Sequence, residues 1–585
     1  MMSGFLEVDK SLSNRKWIGP SSQQERLATS LVQQHGVSQL TALLSVKRGV
    51  VSDDLASYLL PKIKNLMPDP YVLQDMQKGA ERFITALTQK EKICIFADYD
   101  VDGTVSASIL LLWLKFFNIN PNIYIPDRIK EGYGPNVSAM EAIAKKNTLI
   151  ICVDCGTASH QAIKKAMEHG ADVLVLDHHI AEEHLPEALA IINPKRKDDS
   201  SQLDYLCAAG VVFIFLVAVS RILKERQISS PEIINFLDLV ALATVADVVP
   251  LIKLNRAFVT QGLKILTHRN RPGLVALIDE AGIKSQPTTY HLGYLIAPRI
   301  NAAGRLADAK FAIQLLTETS EQNAKKVSAE LNELNIKRRS LENEVLNAAI
   351  AQVETKGEKN IHLTWVAGYD WHPGVIGIVA ARLKEKFSVP AIVFSINKDG
   401  LAVGSARSVS GIDIGSEIKK LVISGLFISG GGHSMAAGLK ANQNQLSDSM
   451  RVLELNLGKI SKKPEIANEL EVDCLISAAG ATTEIVEEMS AAGPFGSGNP
   501  APIVAIANCQ IKYLKVLVDK HIKFNCLDPT GKKLEAIFFN GLETVAGQRV
   551  MKNMGESFHI CGRLEINDWG GYRRVVLQVE DIATI

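Results

Sequence analysis

Residues 93–110 read ICIFADYDVDGTVSASIL, from Ile93 to Leu110. The stretch opens as an apolar run, Ile93-Cys94-Ile95-Phe96, of the kind that forms a strand buried on both faces. It closes as Thr104-Val105-Ser106-Ala107-Ser108-Ile109-Leu110, which reads as the start of a helix. Between them Asp98, Asp100 and Asp102 stand at alternate positions. A strand projects alternate side chains to one face. With the strand breaking at Gly103, the acids are expected to converge at its carboxyl end, where α/β sheets bind ligands. Carboxylates this close repel one another unless a cation or a raised pKa relieves them. Hard oxygen donors suit Mg²⁺ or Mn²⁺. Taken alone, the stretch also reads as a solvated, Asp-rich turn.

The chain on either side settles which context the acids have. Asn122 to Pro126 is a further strand candidate. Thr148 to Val153 is another, ending in Asp154-Cys155-Gly156-Thr157. Ala158 to His169 is helical and stops at Gly170. Asp172 to Leu176 is a third buried strand, ending in Asp177-His178-His179. Repeated βα units imply a mainly parallel sheet with helices on both faces. The polar residues all fall just past predicted strand ends, so distant segments can build one site along one edge. Asp247, in ATVADVVP, is a carboxylate in an otherwise apolar setting and is expected either to pair with a cation or to cap a helix. The first strand leads into acids rather than the glycine fingerprint of a dinucleotide site, which excludes that class of oxidoreductase.

Further on, PRINAAGR (Pro298 to Arg305) reads as a turn offering Arg299, Asn301 and Arg305. Guanidinium forks match phosphate oxygens, and a salt-bridged surface loop is the alternative. Residues 320–354 form a long polar helix with an apolar stripe through Val327, Leu331, Leu334, Leu341, Val345 and Leu346, suited to connecting two lobes. Lys337, Arg338 and Arg339 are assigned to its solvated face. Ile361 to Gly368 opens a second α/β region, with Trp371-His372-Pro373 leading into a helix. Ser405 and Arg407 follow, and then Ser429-Gly430-Gly431-Gly432-His433, whose glycines let the backbone approach an anion. Beyond Pro464, short alternating strands suggest a small β-barrel of the OB type. Its Phe524, Trp569, Tyr572, Arg573 and Arg574 are candidates for binding single strands, or else core and rim.

Composition bounds the whole. A chain of 585 residues holds two to four domains. With 64 Lys plus Arg against 63 Asp plus Glu there is no global basic field, so nucleic-acid contact must come from a local track. The eight cysteines are scattered, which fits a reducing cytosol better than a disulfide framework. The first residues lack the apolar core of a signal peptide. The run Leu206 to Val219 is short for a membrane span, contains Gly210 and reads as a buried helix. Cys152 and Cys155 form a C-x-x-C without partners for a redox or zinc site.

DYDVDG (Asp98 to Gly103), VDCG (Val153 to Gly156), DHH (Asp177 to His179) and ATVADVVPL (Ala243 to Leu251) resemble the four motifs of the DHH phosphoesterase family. PRINAAGRL (Pro298 to Leu306), HPGVIGIVAARL (His372 to Leu383), GSARS (Gly404 to Ser408) and SGGGHSMAAGL (Ser429 to Leu439) narrow the resemblance to its bacterial single-stranded-DNA-specific exonucleases. The match runs from about Pro68 to the end. One departure stands out: the second motif usually reads Asp-Asn-Gly, and here it is Asp154-Cys155-Gly156, which leaves the ligand in place and bears on its surroundings.

The resemblance implies an α/β fold of two lobes, DHH and DHHA1 in type, joined by a long helix, plus a C-terminal OB-like barrel. The implied segments are a helical lead-in at 1–66, the catalytic domain at 67–318, the connecting helix at 319–357, the substrate-binding domain at 358–463 and the barrel at 464–585. It implies two Mn²⁺ or Mg²⁺ ions held by Asp98, Asp100, Asp102, Asp154, His178 and Asp247, with Asp154 as the bridging candidate. His179 would touch the scissile phosphate and Asp177 would orient the imidazole. His433 and the amides of Gly430, Gly431 and Gly432 would hold that phosphate from the second lobe. Ser405, Arg407 and Arg128 would take the terminal 5′ phosphate. Arg299, Asn301 and Arg305 would grip the strand, and His372 is a further substrate-binding candidate. The expected activity is 5′-to-3′ removal of mononucleotides in repair and recombination by a cytoplasmic, non-membrane monomer working with a helicase and a single-strand-binding protein. The competing readings are a phosphodiesterase of short oligonucleotides or cyclic dinucleotides and a catalytically silent single-strand-binding scaffold.

Overall fold

The computed structural model describes residues 4–355, 362–460, 469–553, 555–567 and 573–585. In it the opening stretch forms β1 (Ile93–Ala97), buried along its whole length. β1 lies inside a parallel five-stranded sheet of order β2–β1–β3–β4–β5, with β2 at Asn122–Tyr124, β3 at Leu149–Val153, β4 at Asp172–Leu176 and β5 at Ala190–Ile192. Ala97 pairs with Val153 and Val153 with Leu176. That register lines up Asp98, Asp154 and Asp177 at one edge, the ligand-binding edge of a parallel sheet. Helix α1 (Val101–Lys115) is buried on nearly every side, packed by α2 (Ala208–Glu225) and α3 (Leu237–Ala246). The apolar run near Leu206 is thus a core helix, and among the described residues no helix is long and apolar enough to cross a membrane.

PRINAAGR is helical rather than a turn: α4 spans Ala297–Leu306, with Pro298 at its second position. The long helix α5 (Glu321–Thr355) follows. Arg338 does not lie on its solvated face. It is buried, donating to Asn335 Oδ1 at 2.8 Å and paired with Glu342, because a guanidinium taken from water needs acceptors. The second lobe is a mixed sheet of order β9–β10–β8–β7–β6, built from β6 (Thr364–Tyr369), β7 (Ala391–Ile396), β8 (Leu401–Arg407), β9 (Ser429–His433) and β10 (Ala436–Asn442). Helices α6 (Pro373–Phe387) and α7 (Ile414–Ile423) belong to it. The glycine run is edge strand β9, not a loop. A Cβ at Gly430 would sit 2.7 Å from Ile418 Cγ2, so this glycine lets α7 pack against the strand.

These two lobes and the helix between them form one compact unit, Asp69–Asp247 with Lys264–Pro464. The other unit gathers Met1–Pro68, Val248–Leu263 and Glu465–Ile585. Its centre is a closed barrel of β11 (Val504–Leu517), β12 (His521–Leu527), β13 (Lys533–Phe538), β14 (Ser557–Asn567) and β15 (Arg574–Thr584), with β11 pairing β14 to close it. Two further segments belong to this unit. The helical lead-in is tied to the barrel: Lys16–Ile18 pairs with Glu469–Glu471, and buried Trp17 donates to Asp581 Oδ2 at 2.9 Å. The segment 67–318 is interrupted, because Val248–Leu263 belongs with the barrel. There Arg256 is buried and donates to the carbonyls of Tyr58 (2.7 Å), Ala492 (3.0 Å) and Gly493. Phe524 is 1% exposed in the barrel core and cannot stack on a base. Arg573 donates to Glu487 Oε1 at 2.8 Å and Arg574 begins β15. Trp569, Tyr572 and the expected boundaries near 357 and 464 lie outside the described residues.

Candidate metal centre and substrate cleft

The three acids of the opening stretch converge, but not by strand alternation. β1 ends at Ala97, and Asp100 is already the N-cap of α1, accepting from Gly103 N–H at 3.1 Å. Asp102 therefore lies in the first helical turn. The sharp passage from strand to helix requires Gly103, where a Cβ would stand 2.5 Å from the Asp98 carbonyl. Asp102 is gripped by the start of α2: Ala208 N–H donates to Oδ2 at 2.6 Å and Ala209 N–H to Oδ1 at 2.9 Å. Helix N-termini bind anions in this way. Asp154 takes a left-handed φ of 59°, an uncommon conformation for a residue other than glycine, at the end of β3.

Three carboxylates crowd His178 Nε2: Asp154 Oδ1 at 3.3 Å, Asp247 Oδ2 at 3.6 Å and Asp102 Oδ2 at 3.7 Å. Two further groupings are close enough to share an ion, Asp98/Asp100/Asp154 and Asp154/His178/His179. All six sequence-derived ligand candidates are thus brought together, and Asp154 stands in two of the groupings. Asp98 Oδ1, Asp154 Oδ1 and Asp247 Oδ2 are buried without a hydrogen-bond partner. Such groups are costly unless a cation completes them. Burial, and then the neighbouring carboxylates, push Asp98 and Asp154 well above the usual range, Asp102 to about 7 and Asp247 to about 8. Burial, then His179, pushes His178 down to about 3, so it is neutral and able to ligate. The donor set, oxygens with one imidazole, fits Mn²⁺ or Mg²⁺.

Asp177 holds the two histidines. Its Oδ1 accepts from His178 N–H at 2.7 Å, His179 N–H at 3.2 Å and His179 Nδ1 at 2.8 Å; its Oδ2 accepts from Thr157 N–H at 3.1 Å and Thr157 Oγ1 at 2.6 Å. Burial alone would raise this carboxyl, but the His179 hydrogen bond and charge outweigh it and hold Asp177 well below the usual range. Burial likewise disfavours charge on His179, yet Asp177 raises it above the ordinary value. From the second lobe, the His433 ring lies 6.3 Å from that of His179 at an interplanar angle of 21°.

A second, positive cluster lies beside this acidic one. Arg407 donates to Ser405 Oγ at 3.1 Å, both over the first turns of α6, where a Cβ at Gly377 would meet them at 3.0 Å. Arg305 donates to the Gly374 carbonyl at 2.9 Å. Arg128 lies over the Tyr99 ring at 4.9 Å. Burial, then Arg128, Arg338 and Arg407, brings Arg305 down to about 10. Guanidiniums that repel one another in a buried pocket make a place for an anion. Arg305 thus sits in the pocket expected for Ser405, Arg407 and Arg128, whereas Arg299 turns to α5, donating to Asn332 Oδ1 at 3.0 Å. Asn301 is half-buried on α4. His372 caps α6, its Nδ1 accepting from Gly374 N–H at 3.0 Å.

Several site residues escaped the sequence reading. Tyr133 donates to the Asp154 carbonyl at 2.9 Å and meets His179 Nδ1 at 3.0 Å. Its signal was the Gly-Tyr-Gly turn close after Arg128, with Gly132 and Gly134 both at positive φ. Asn193, just past β5 at the same sheet edge, donates to Thr157 Oγ1 at 2.9 Å and the His179 carbonyl at 2.8 Å. Lys195 sets a positive charge near His178, Asp247 and His433. Cys155 is buried with its thiol pushed up by burial, Sγ donating to the Val153 carbonyl at 3.4 Å, which suits packing and not ligation.

Comparison with known proteins agrees with this architecture. Residues 92–244 match the DHH family, N-terminal domain; residues 358–459 match the DHHA1 domain; residues 472–581 match the RecJ OB domain. Fold and site together are those of a DHH-type phosphoesterase. The chain is 33% identical over 577 residues to the single-stranded-DNA-specific exonuclease RecJ of Bacillus subtilis (strain 168), covering 98% of this chain and 71% of that one. It is 31% identical over 560 residues to the Escherichia coli (strain K12) protein of the same name, covering 92% and 95%. A crystal structure of RecJ in complex with Mn²⁺ from Thermus thermophilus superposes with a TM-score of 0.80 at 25% identity, covering 97% of this chain and 79% of that one. The chain belongs to the RecJ family of single-stranded-DNA-specific exonucleases.

Proposed function

We propose that this chain is a metal-dependent exonuclease that degrades single-stranded DNA to mononucleotides from the 5′ end. The observation that carries the reading is the set of buried, unpartnered carboxylate oxygens on Asp98, Asp154 and Asp247, facing a neutral His178 at one sheet edge. Two Mn²⁺ or Mg²⁺ ions held by Asp98, Asp100, Asp102, Asp154, His178 and Asp247 would supply a bound water acidic enough to attack a phosphodiester and charge for the leaving oxygen. Asp154 and His178 each stand in two ligand groupings, and Asp154, whose carboxylate offers two oxygens, would be the one able to serve both ions.

The chain's own residues do the rest. His179, held by Asp177 and Tyr133, and His433 opposite it contact the scissile phosphate from the two lobes. β9 gives some of its backbone groups to β10, so the Gly430–Gly432 amides contribute through the free edge of that strand. Arg128, Arg305, Arg407 and Ser405 take the terminal 5′ phosphate at the start of α6. Lys195 steadies the strand beside the metals. A terminal phosphate anchored next to the reacting one favours single-nucleotide steps from a 5′ end. The role in repair and recombination, cytoplasmic location, monomeric state and cooperation with a helicase and a single-strand-binding protein belong to the same proposal.

The test uses purified protein, Mn²⁺ and single-stranded DNA labelled at either end, beside blunt duplex and a dinucleotide. Early release of a 5′-terminal mononucleotide from single strands and not from duplex supports the reading. Cleavage of the dinucleotide alone moves the protein to small substrates. Tight binding without cleavage makes it a scaffold.

A further inference from the structure

Tyr290 and Tyr294 take no part in the site described above, yet they are placed with care. They are 59% and 68% exposed, with ring centroids 5.1 Å apart and 29° between planes. Tyr294 lies in the π-helical turn His291–Ile296, Tyr290 caps it, and the turn runs directly into α4. Single π-turns inside helices concentrate at functional sites. The His291 ring stands edge-on to Tyr290 at 5.9 Å and is pinned by Thr288 N–H donating to its Nδ1 at 3.0 Å. Three rings are therefore held in a preset array at the surface. An exposed aromatic array of this size is informative where a lone exposed ring is not.

The turn that carries the array packs beside the helix leading to Asp247 and continues into the helix that carries Arg299 and Arg305. A Cβ at Gly293 would be 3.3 Å from Val245 Cγ1, and Val245 is two residues before Asp247 on α3. In the other direction α4 continues to Arg299 and Arg305, and Arg299 feels the positive charge of Arg339 on α5. The rings thus stand between Val245, near the metal-ligand cluster, and the positive charge of Arg299 and Arg339. Single-strand channels combine these two elements.

We propose that Tyr290 and Tyr294 are a stacking platform for the unpaired bases of the strand beyond the scissile phosphate, with Arg299 and Arg339 following its backbone. The proposal rests on the exonuclease reading and deepens it. Every base has a face to stack, so the platform tolerates any sequence, and only an unpaired base can use it, so it rejects duplex.

The experiment uses full-length protein and twelve-nucleotide single strands with phosphorothioate linkages that resist hydrolysis. Each strand carries one 2-aminopurine, stepped along the series, and its fluorescence reports stacking. Wild type should quench at one or two particular positions and leave a duplex probe unquenched. Tyr290→Leu/Tyr294→Leu, which keeps apolar bulk, should lose that quench and bind roughly 5- to 100-fold more weakly, the range one stacked base supplies. Tyr290→Phe/Tyr294→Phe should restore both. Should the double leucine variant melt early, Tyr294→Leu alone carries the same comparison. Equal quench and affinity in the leucine and wild-type proteins, or a loss that phenylalanine does not restore, overturns the platform. Failure of the exonuclease reading is seen separately, as a wild-type protein that does not cleave unmodified single strands.

Discussion

Asp177→Asn preserves shape and removes charge at the point where both histidines are held. The native carboxylate faces only donors: three N–H groups on Oδ1, and the Thr157 N–H and hydroxyl on Oδ2. Whichever way the new amide turns, its NH₂ meets a backbone N–H. About two hydrogen bonds to a charged group are lost, at about 1.5–3 kcal/mol each, so the catalytic unit should lose about 3–6 kcal/mol. His179 also loses the anion that raises its pKa and fixes its Nδ1 proton. The cleavage rate on single strands should fall roughly 10²- to 10³-fold, the usual worth of a positioned group that stabilises charge on the reacting phosphate. Urea unfolding followed by circular dichroism measures the first effect and single-turnover cleavage the second. A variant within about 1 kcal/mol of wild type that retains most of its rate would refute the reasoning.

The apo protein should lose stability as pH rises. Burial and neighbouring acids raise Asp102 from 3.8 to about 7 and Asp247 from 3.8 to about 8, so the folded apo state retains protons the unfolded chain gives up. The stability this allows is complete below about pH 4 and is lost through pH 7–8; calorimetry with and without Mn²⁺ should show the metal reversing the loss. Arg407→Ala should cut the preference for 5′-phosphorylated ends roughly 10- to 100-fold, the worth of a charge-assisted bond, measured by competition between phosphorylated and hydroxyl ends. Gly304→Ala places a Cβ 2.6 Å from the Tyr99 carbonyl and should cost about 1–3 kcal/mol while disturbing the Asp98–Asp100 turn; thermal melting and rate are the readouts.

Much of this was legible in the sequence because parallel strands announce themselves as unbroken apolar runs, and their polar successors must share an edge. Asp98, Asp154, Asp177 and His178 follow from that rule, whereas Asp247, at the C-terminal end of helix α3, stood out only as a carboxylate in an apolar setting. What failed was local. Asp102 reached the cluster through a helix turn capped by α2, a contact over a hundred positions away that no local spacing contains. Phe524 looked available because strand alternation does not say which face is inside a barrel. The Gly430–Gly432 run reads as an anion-binding loop because local spacing does not show that it is an edge strand, nor that Gly430 faces Ile418 of α7. Arg338 reads as solvated because polar spacing on a helix does not reveal that Asn335 and Glu342 are buried with it as acceptors.

The central claim is that the acidic cluster is a dication site that hydrolyses single-stranded DNA. Metal add-back to chelator-stripped protein tests it most directly, with a uniformly labelled single strand and Asp154→Ala alongside. The account predicts no cleavage without metal, mononucleotide release restored by Mn²⁺ or Mg²⁺, and none from the variant under either ion. Cleavage that survives chelation, or that the variant retains, would contradict it.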